Sequence, residues 1–177
     1  MKKFFLTLCV ALFALGAQAQ EKGDFALGVK GGLSFTKFQF ADYKENITRG
    51  GFGAFAQYNI SNKWRLELEG IYHPKKEYVS DLTAGLNIQY LVDVCEGVKI
   101  YPQVGYALAF VHQYDIVLDN GSTISHDKKN TTDGGAQLGL GAQFNIGEKA
   151  FLLADYKFQP GIFGDCHVVN VGIGFRF

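Results

Sequence analysis

The sequence predicts an all-β fold: an eight-stranded antiparallel up-and-down transmembrane β-barrel, preceded by a cleaved signal peptide. Three observations lead to this prediction. Eight segments alternate between apolar and small or polar residues, which is the side-chain period of a β-strand. These segments run about 10 to 15 residues, close to the roughly 9 to 11 residues of a membrane-crossing strand and well above the globular mean of about 5 or 6. The connections between them alternate between short and long.

The first 19 residues have the three parts of a secretory signal peptide. Lys2 and Lys3 are basic, an apolar run covers residues 4–15, and Ala17 and Ala19 give the small-residue pattern of a cleavage site. This run is shorter than the roughly 20 residues of a membrane-spanning helix. We therefore expect cleavage after Ala19 and one barrel domain over residues 20–177. A lipoprotein signal at Cys9 is disfavoured because Cys9 lies inside the apolar run.

The overall composition supports strands and argues against a nucleic-acid partner. Aromatic residues make up 15% of the chain, which also contains 22 Gly and only 3 Pro. Loss of the two N-terminal lysines leaves 15 basic and 17 acidic residues, a net charge of −2. Such a chain has no excess of positive charge with which to hold a phosphate backbone.

In the first four predicted strands, residues 24–38, 50–60, 64–73 and 82–94, one face is apolar and the other is small or polar. The apolar faces are Phe25, Leu27, Val29, Leu33 and Phe35 in the first strand, Phe52, Ala54, Ala56, Tyr58 and Ile60 in the second, Trp64, Leu66, Leu68 and Tyr72 in the third, and Leu82, Ala84, Leu86, Ile88, Tyr90, Val92 and Val94 in the fourth.

The last four predicted strands, residues 98–111, 134–146, 150–159 and 167–177, repeat the pattern. Their apolar faces are Ile100, Val104, Tyr106, Leu108 and Phe110 in the fifth strand, Ala136, Leu138, Leu140, Ala142, Phe144 and Ile146 in the sixth, Leu152, Ala154, Tyr156 and Phe158 in the seventh, and Val169, Val171, Ile173, Phe175 and Phe177 in the eighth.

The connections divide the barrel into a tight end and a loop-rich end. Residues 61–63, 95–97 and 147–149 form the short turns, and the long connections are residues 39–49, 74–81, 112–133 and 160–166. Short periplasmic turns and longer outer loops are typical of outer-membrane barrels. Because lipid cannot satisfy an open strand edge, the first and eighth strands must pair.

The charges decide which face meets lipid. Nine charged residues share the small or polar face: Lys30, Arg65, Glu67, Glu69, Asp93, Lys99, Asp155, Lys157 and Arg176. An isolated charge in hydrocarbon costs several kcal/mol. An eight-stranded interior is just wide enough for side chains to fill, so five positive and four negative groups can pair there. We therefore predict a closed polar interior, with a small solute or ion channel as the alternative.

Aromatic residues on the apolar face are concentrated near its two ends, as expected for belts at the two lipid–water interfaces. The tight-end belt is Phe25, Tyr58, Trp64, Tyr90, Phe144 and Phe177, and the loop-end belt is Phe35, Phe52, Tyr72, Phe110 and Phe158.

Four stretches carry a family resemblance: Ala17-Gln18-Ala19-Gln20, Leu86-Asn87-Ile88-Gln89-Tyr90-Leu91, Tyr101-Pro102-Gln103-Val104-Gly105 and Val171-Gly172-Ile173-Gly174-Phe175-Arg176-Phe177. With them the chain resembles the small bacterial outer-membrane barrels of the OmpX and OmpA-barrel type, and more closely the PorT-like "outer membrane protein beta-barrel domain" proteins of Bacteroidetes. The resemblance implies residence in the bacterial outer membrane among its lipids. It also implies that the barrel-assembly machinery reads Phe177 as an insertion signal.

Residues that could carry chemistry lie on the loop-rich side. The histidines are His73, His112, His126 and His167, but they lack tight ligand spacing, so no metal and no cofactor is predicted. Ser125 and His126 raise the alternative of a lipid A-modifying enzyme, since some barrels of this kind use a Ser/His pair. Cys95 and Cys166 are expected at opposite ends, too far apart for a disulfide.

The expected function is therefore that of a non-enzymatic, monomeric outer-membrane barrel with structural, adhesive or interaction roles. The long connection of residues 112–133 is the expected binding element for an extracellular ligand, because loops of this length are usually functional or disordered.

Overall fold

The structure is a computed structural model that describes residues 22–40, 43–76, 79–113, 116–117, 123–124, 130–160 and 165–177. The predicted signal peptide and its cleavage site at Ala19 lie outside these residues. No helix in the described ranges is long and apolar enough to cross a bilayer.

The described chain is built from β-strands joined by turns. The strands are β1 (Phe25–Phe40), β2 (Tyr43–Asn59), β3 (Trp64–Lys76), β4 (Val79–Tyr90), β5 (Val92–Cys95), β6 (Val98–Gln113), β7 (Ile116–Val117), β8 (Thr123–Ile124), β9 (Asn130–Ile146), β10 (Ala150–Gln159) and β11 (Asp165–Arg176).

The sheet closes on itself through antiparallel neighbours. Its order is β4-β3-β2-β1-β11-β10-β9-β6, and β4 also pairs with β6. β5 follows β4 after a break at Leu91 and pairs with β6 alone among the described strands. β1 and β11 pair from Ala26 opposite Arg176 to Lys37 opposite Asp165. The predicted eight-stranded up-and-down barrel, with its first and last strands paired, is confirmed.

The two faces of the wall are as different as the sequence indicates. Large apolar side chains point outward, such as Val171 at 63% exposure and Phe177 at 77%. Inward-pointing side chains such as Arg65, Glu67 and Gln89 are completely buried. An apolar exterior and a polar interior are what a barrel needs when lipid is its solvent.

Outward aromatic residues also meet in pairs at both interfaces. Trp64 contacts Tyr90 edge to face at the tight end, with ring centroids 4.9 Å apart. Phe52 contacts Tyr72 in the same way at the loop end, at 5.9 Å. The turns of the tight end include Gly97 and Gly147 with φ of 77° and 70°, a left-handed conformation that favours glycine.

The loop end differs from the prediction because strands continue past the aromatic belt. Much of the predicted connection of residues 39–49 belongs to β1 and β2, which pair as far as Phe40 and Tyr43. Part of the connection of residues 74–81 likewise belongs to β3 and β4. Above the membrane the outward face of the sheet meets water instead of lipid, so backbone pairing continues there without apolar alternation. The long connection of residues 112–133 contains the short β7–β8 pair.

The position of Cys166 at the loop end also differs from the prediction. We expected it in a connection, but it lies within β11, opposite Thr36 of β1. Its side chain is buried inside the barrel, where the Thr36 hydroxyl donates a hydrogen bond to its sulfur at 3.4 Å.

Candidate functional site

The centre of the barrel contains a compact group of five charged side chains on three strands, β1, β3 and β10. The ammonium of Lys30 lies 2.9 Å from Oε1 of Glu67 and 2.9 Å from Oε2 of Glu69. It also lies 3.5 Å from Oδ2 of Asp155. Lys157 reaches the group from β10, forming a short ion pair with Glu69 and lying 3.7 Å from Glu67. We call these five residues the central cluster.

Amide side chains satisfy the remaining oxygens of this cluster. Gln57 donates to Oε2 of Glu67 at 2.7 Å, and Asn87 donates to Oε1 of Glu69 at 3.1 Å. Asn170 donates to Oδ1 of Asp155 at 2.9 Å. Burying an ion costs several kcal/mol, which is offset only when ion pairing is combined with such additional hydrogen bonds.

Arg65 forms a separate layer beside the central cluster. Its Nε donates to Oε1 of Gln89 at 2.6 Å, and its Nη1 donates to Gln143. Gln89 in turn donates to Gln103 at 3.0 Å. With Arg65, the buried charges of the middle of the barrel are three positive and three negative.

Three inward aromatic rings each lie between a glycine and a cation. A Cβ added to Gly28, Gly141 or Gly174 would collide with the ring of Phe55, Tyr101 or Phe151, respectively. The opposite partners are Lys30 at 4.9 Å from the Phe55 ring, Arg65 at 4.9 Å from that of Tyr101 and Arg176 at 5.1 Å from that of Phe151. The glycines make room for the rings, and the rings stabilise the cations through their π faces.

The remaining predicted charges lie apart from the centre. Arg176 forms a short hydrogen bond to Asn145 and donates to the carbonyl of Glu148 at 3.3 Å, near the tight-end turn of residues 147–149. Lys99 pairs with Asp93. Asp93 lies directly opposite Lys99 on the same face of the sheet, but its side chain is 70% exposed and is not enclosed by the barrel. Among the described strands, β5 pairs with β6 alone and extends past the start of β3, so water reaches Asp93 at the rim.

A second polar group lies inside the barrel at the loop end, and the sequence analysis missed it. Asp81 forms a short ion pair with Arg49, and its Oδ2 lies 2.8 Å from Nδ1 of His73. Thr83 donates to the same carboxylate at 3.3 Å. Arg49 and Asp81 fall in the predicted connections of residues 39–49 and 74–81, so the sequence predicts no strand face for either of them. We call Arg49, His73 and Asp81 the outer cluster.

The other candidate residues do not assemble into a reactive site in the part of the chain that is described. His126 and Ser125 lie outside it. His73 is in the outer cluster, whereas His167 is half-buried on the outward face and stacks with Tyr156. No group of three or more His, Cys, Asp or Glu in the described ranges could hold a metal ion. Both Cys95 and Cys166 are free thiols, the first exposed and the second buried.

These features define a transmembrane β-barrel with an apolar belt outside and a paired charge network inside. A family model described as "Outer membrane protein beta-barrel domain" matches residues 5–177. The chain therefore belongs to this family of outer-membrane barrel proteins, and its location is the outer membrane. The finer PorT-like placement within Bacteroidetes stays a prediction. No curated protein matches the sequence.

Several solved structures share the fold at low sequence identity. The N-terminal β-barrel domain of Pseudomonas aeruginosa OprF is 18% identical, with a TM-score of 0.65, covering 89% of this chain and 100% of that one. Neisserial surface protein A is 12% identical, with a TM-score of 0.63, covering 88% and 98%. Ail of Yersinia pestis, in complex with the heparin analogue sucrose octasulfate, is 15% identical, with a TM-score of 0.54, covering 88% and 99%.

Proposed function

We propose that this protein is a closed, non-enzymatic outer-membrane barrel whose outer connections bind a partner outside the cell. The observation that carries the proposal is the burial of the central cluster and Arg65, which have between 0% and 6% of their surface exposed. A water-filled pore would leave the side chains that line it accessible. The barrel interior therefore acts as a rigid support, and the variable chemistry lies above the membrane.

Conductance distinguishes this proposal from a small solute or ion channel. Purified protein in a planar bilayer should give no stable conductance steps at neutral pH, whereas a porin measured in parallel supplies the positive control. Reproducible steps of fixed size would overturn the closed barrel.

Lipid analysis tests the non-enzymatic part of the proposal. Lipid A from cells with and without the protein should have the same acyl pattern in mass spectra. A change of acyl pattern that disappears in a Ser125→Ala variant would establish the lipid A-modifying alternative.

The connection of residues 112–133 is the proposed binding element. It contains four aspartates and two lysines, a net charge of −2, and its β7–β8 pair gives it local structure. A negative loop does not suit a polyanion, so the ligand seen with Ail is a poor guide to the partner of this protein. We propose a protein partner.

Adhesion of bacteria producing the protein to immobilised extracellular-matrix proteins tests this element. Replacement of residues 114–129 by a short Gly/Ser turn should abolish adhesion, whereas Asp93→Asn at the opposite end should leave it unchanged. Equal adhesion of the loop-replaced and unaltered proteins would contradict the assignment.

We also propose that residues 1–19 are removed on export and that the mature chain is a monomer inserted by the barrel-assembly machinery. The mass of the protein purified from outer membranes should correspond to a chain starting at Gln20. Retention of residues 1–19 would refute cleavage at Ala19.

A further inference from the structure

Among the residues that the structure describes, the backbone ladder between β2 and β3 stops before the loop end of either strand. Their backbone ladder runs from Asn59 opposite Arg65 to Phe52 opposite Tyr72 and ends there. β2 nevertheless continues to Tyr43, paired with β1 over this whole stretch. β3 also continues, to Lys76. Two strands that are adjacent in the wall thus extend further without a ladder between them.

The sequence of β3 explains why the ladder ends at this level. Pro74, two residues after Tyr72, has no N–H to donate and is found in sheets at edges and irregularities. The pairing of β3 with β4 is also irregular here, because the register shifts between His73 and Lys76. The last regular pair of that ladder is His73 opposite Asp81. β3 therefore loses regular pairing on both sides within two residues.

The outer cluster lies at this level. Asp81 of β4 holds His73 of β3 and, across β3, Arg49 of β2. The three side chains are largely buried, with between 9% and 16% exposed. The His73 ring also lies against Gly51 of β2, because a Cβ there would approach its Nε2 to 2.7 Å. Charge-assisted hydrogen bonds shielded from water are among the stronger polar contacts of proteins.

We propose that the outer cluster is a clasp that holds the β1–β2 hairpin against β3 and β4 where the backbone ladder is missing. Opening of the clasp separates the two hairpins above Phe52 and Tyr72, while the barrel below stays closed. The outer rim thus has a closed and an open arrangement, and the central cluster is the same in both. Ser34 of β1 adds to the closed arrangement by donating to the carbonyl of Arg49 at 3.3 Å.

Amide hydrogen exchange of the full chain in lipid nanodiscs tests the clasp. Asp81→Asn keeps the shape of the side chain but removes its charge. It should accelerate exchange across residues 43–51 about tenfold or more, because the released β1–β2 hairpin is only marginally stable in water and its own ladder then opens more often. Exchange in residues 52–59 and in β9–β11 should not change. Asp93→Asn, which removes the carboxylate of an ion pair at the opposite end, is the matched control and should have no effect on residues 43–51.

Two further variants keep the test decisive. His73→Gln removes one partner of Asp81 and should accelerate the same amides to a smaller extent. Pro74→Val restores a backbone donor, so the combination Pro74→Val/Asp81→Asn should exchange more slowly over residues 43–51 than Asp81→Asn alone. Unchanged exchange over residues 43–51 in any folded variant lacking Asp81 or His73 would overturn the proposal. Acceleration spread evenly over all strands would also overturn it, since the barrel below would not have stayed closed.

Discussion

Lys30 shows how strongly one interior side chain is tied to its neighbours. It contacts three carboxylates on two other strands and the ring of Phe55. The sequence predicted its inward direction from alternation alone. It could not predict which carboxylates it would meet, because that depends on the registers between strands far apart in the chain.

The Lys30→Met variant should be destabilised by about 3 to 5 kcal/mol, since it leaves three buried carboxylates with Lys157 as their nearby cation. Urea unfolding in lipid vesicles, followed by the fluorescence of Trp64, measures the loss. Asp93→Asn removes a carboxylate that is itself 70% exposed at the rim, so it should cost less, about 1 kcal/mol, even though its partner Lys99 is buried. Equal stabilities of the two variants would show that the central cluster is not a major source of stability.

Gly141 of β9 lies against the buried ring of Tyr101 and provides a second test at the scale of a single residue. Gly141→Val should cost about 1 to 3 kcal/mol because the added atoms collide with the buried ring of Tyr101. Gly70→Val is the matched control: an added Cβ at Gly70 meets nothing within 4 Å. The same unfolding experiment compares them. Because valine is favoured over glycine in strands, strand propensity cannot explain a loss of stability in either variant. If Gly70→Val lost as much stability as Gly141→Val, the loss could not be attributed to the ring of Tyr101.

At the scale of the strand, alternation predicts the membrane-crossing part and fails outside it. In β4, the residues from Leu82 to Tyr90 point alternately outward and inward as expected. In β2, residues 43–49 had no apolar alternation and were assigned to a loop, although they pair with β1. The outer cluster was missed for this reason. Lipid enforces alternation only within its own thickness, so the sequence carries no such signal above it.

The last strand gives a prediction about assembly. Phe177 is 77% exposed, more than any other large apolar side chain that the structure describes, and its N–H donates to the carbonyl of Phe25 at 2.9 Å. Phe177→Ser should lower the amount of barrel in the outer membrane several-fold, if the terminal aromatic is the insertion signal. Phe175→Ser, on the same face of the same strand, is the control.

Refolding of the Phe177→Ser and Phe175→Ser proteins in detergent shows whether a substitution affects recognition by the assembly machinery or the stability of the barrel. Purified Phe177→Ser protein should still fold as well as Phe175→Ser protein. A parallel loss of refolding and of assembly in the Phe177 variant would attribute the effect to stability instead.

At the scale of the whole molecule, the two cysteines mark its ends. Cys95 is exposed beside the tight turn of β5 and β6, and Cys166 is buried at the loop end. A polyethylene-glycol maleimide should therefore add once to the folded protein in detergent and twice after boiling. A third addition after boiling would mean that Cys9, and with it residues 1–19, is retained. Absence of any addition after boiling without reductant, with two additions once reductant is present, would reveal a disulfide between the two cysteines.

Alternation of the two faces also bears on how the chain leaves the cytoplasm. Apolar residues in β1–β11 are interrupted by polar or small ones at nearly every second position, so none of the strands offers the roughly 20 continuous apolar residues of a spanning helix. None of these strands is therefore a segment that a translocation channel would release sideways into the inner membrane. The lipid-facing surface comes into existence only on closure, when β1 pairs with β11 and the scattered apolar side chains become one continuous band.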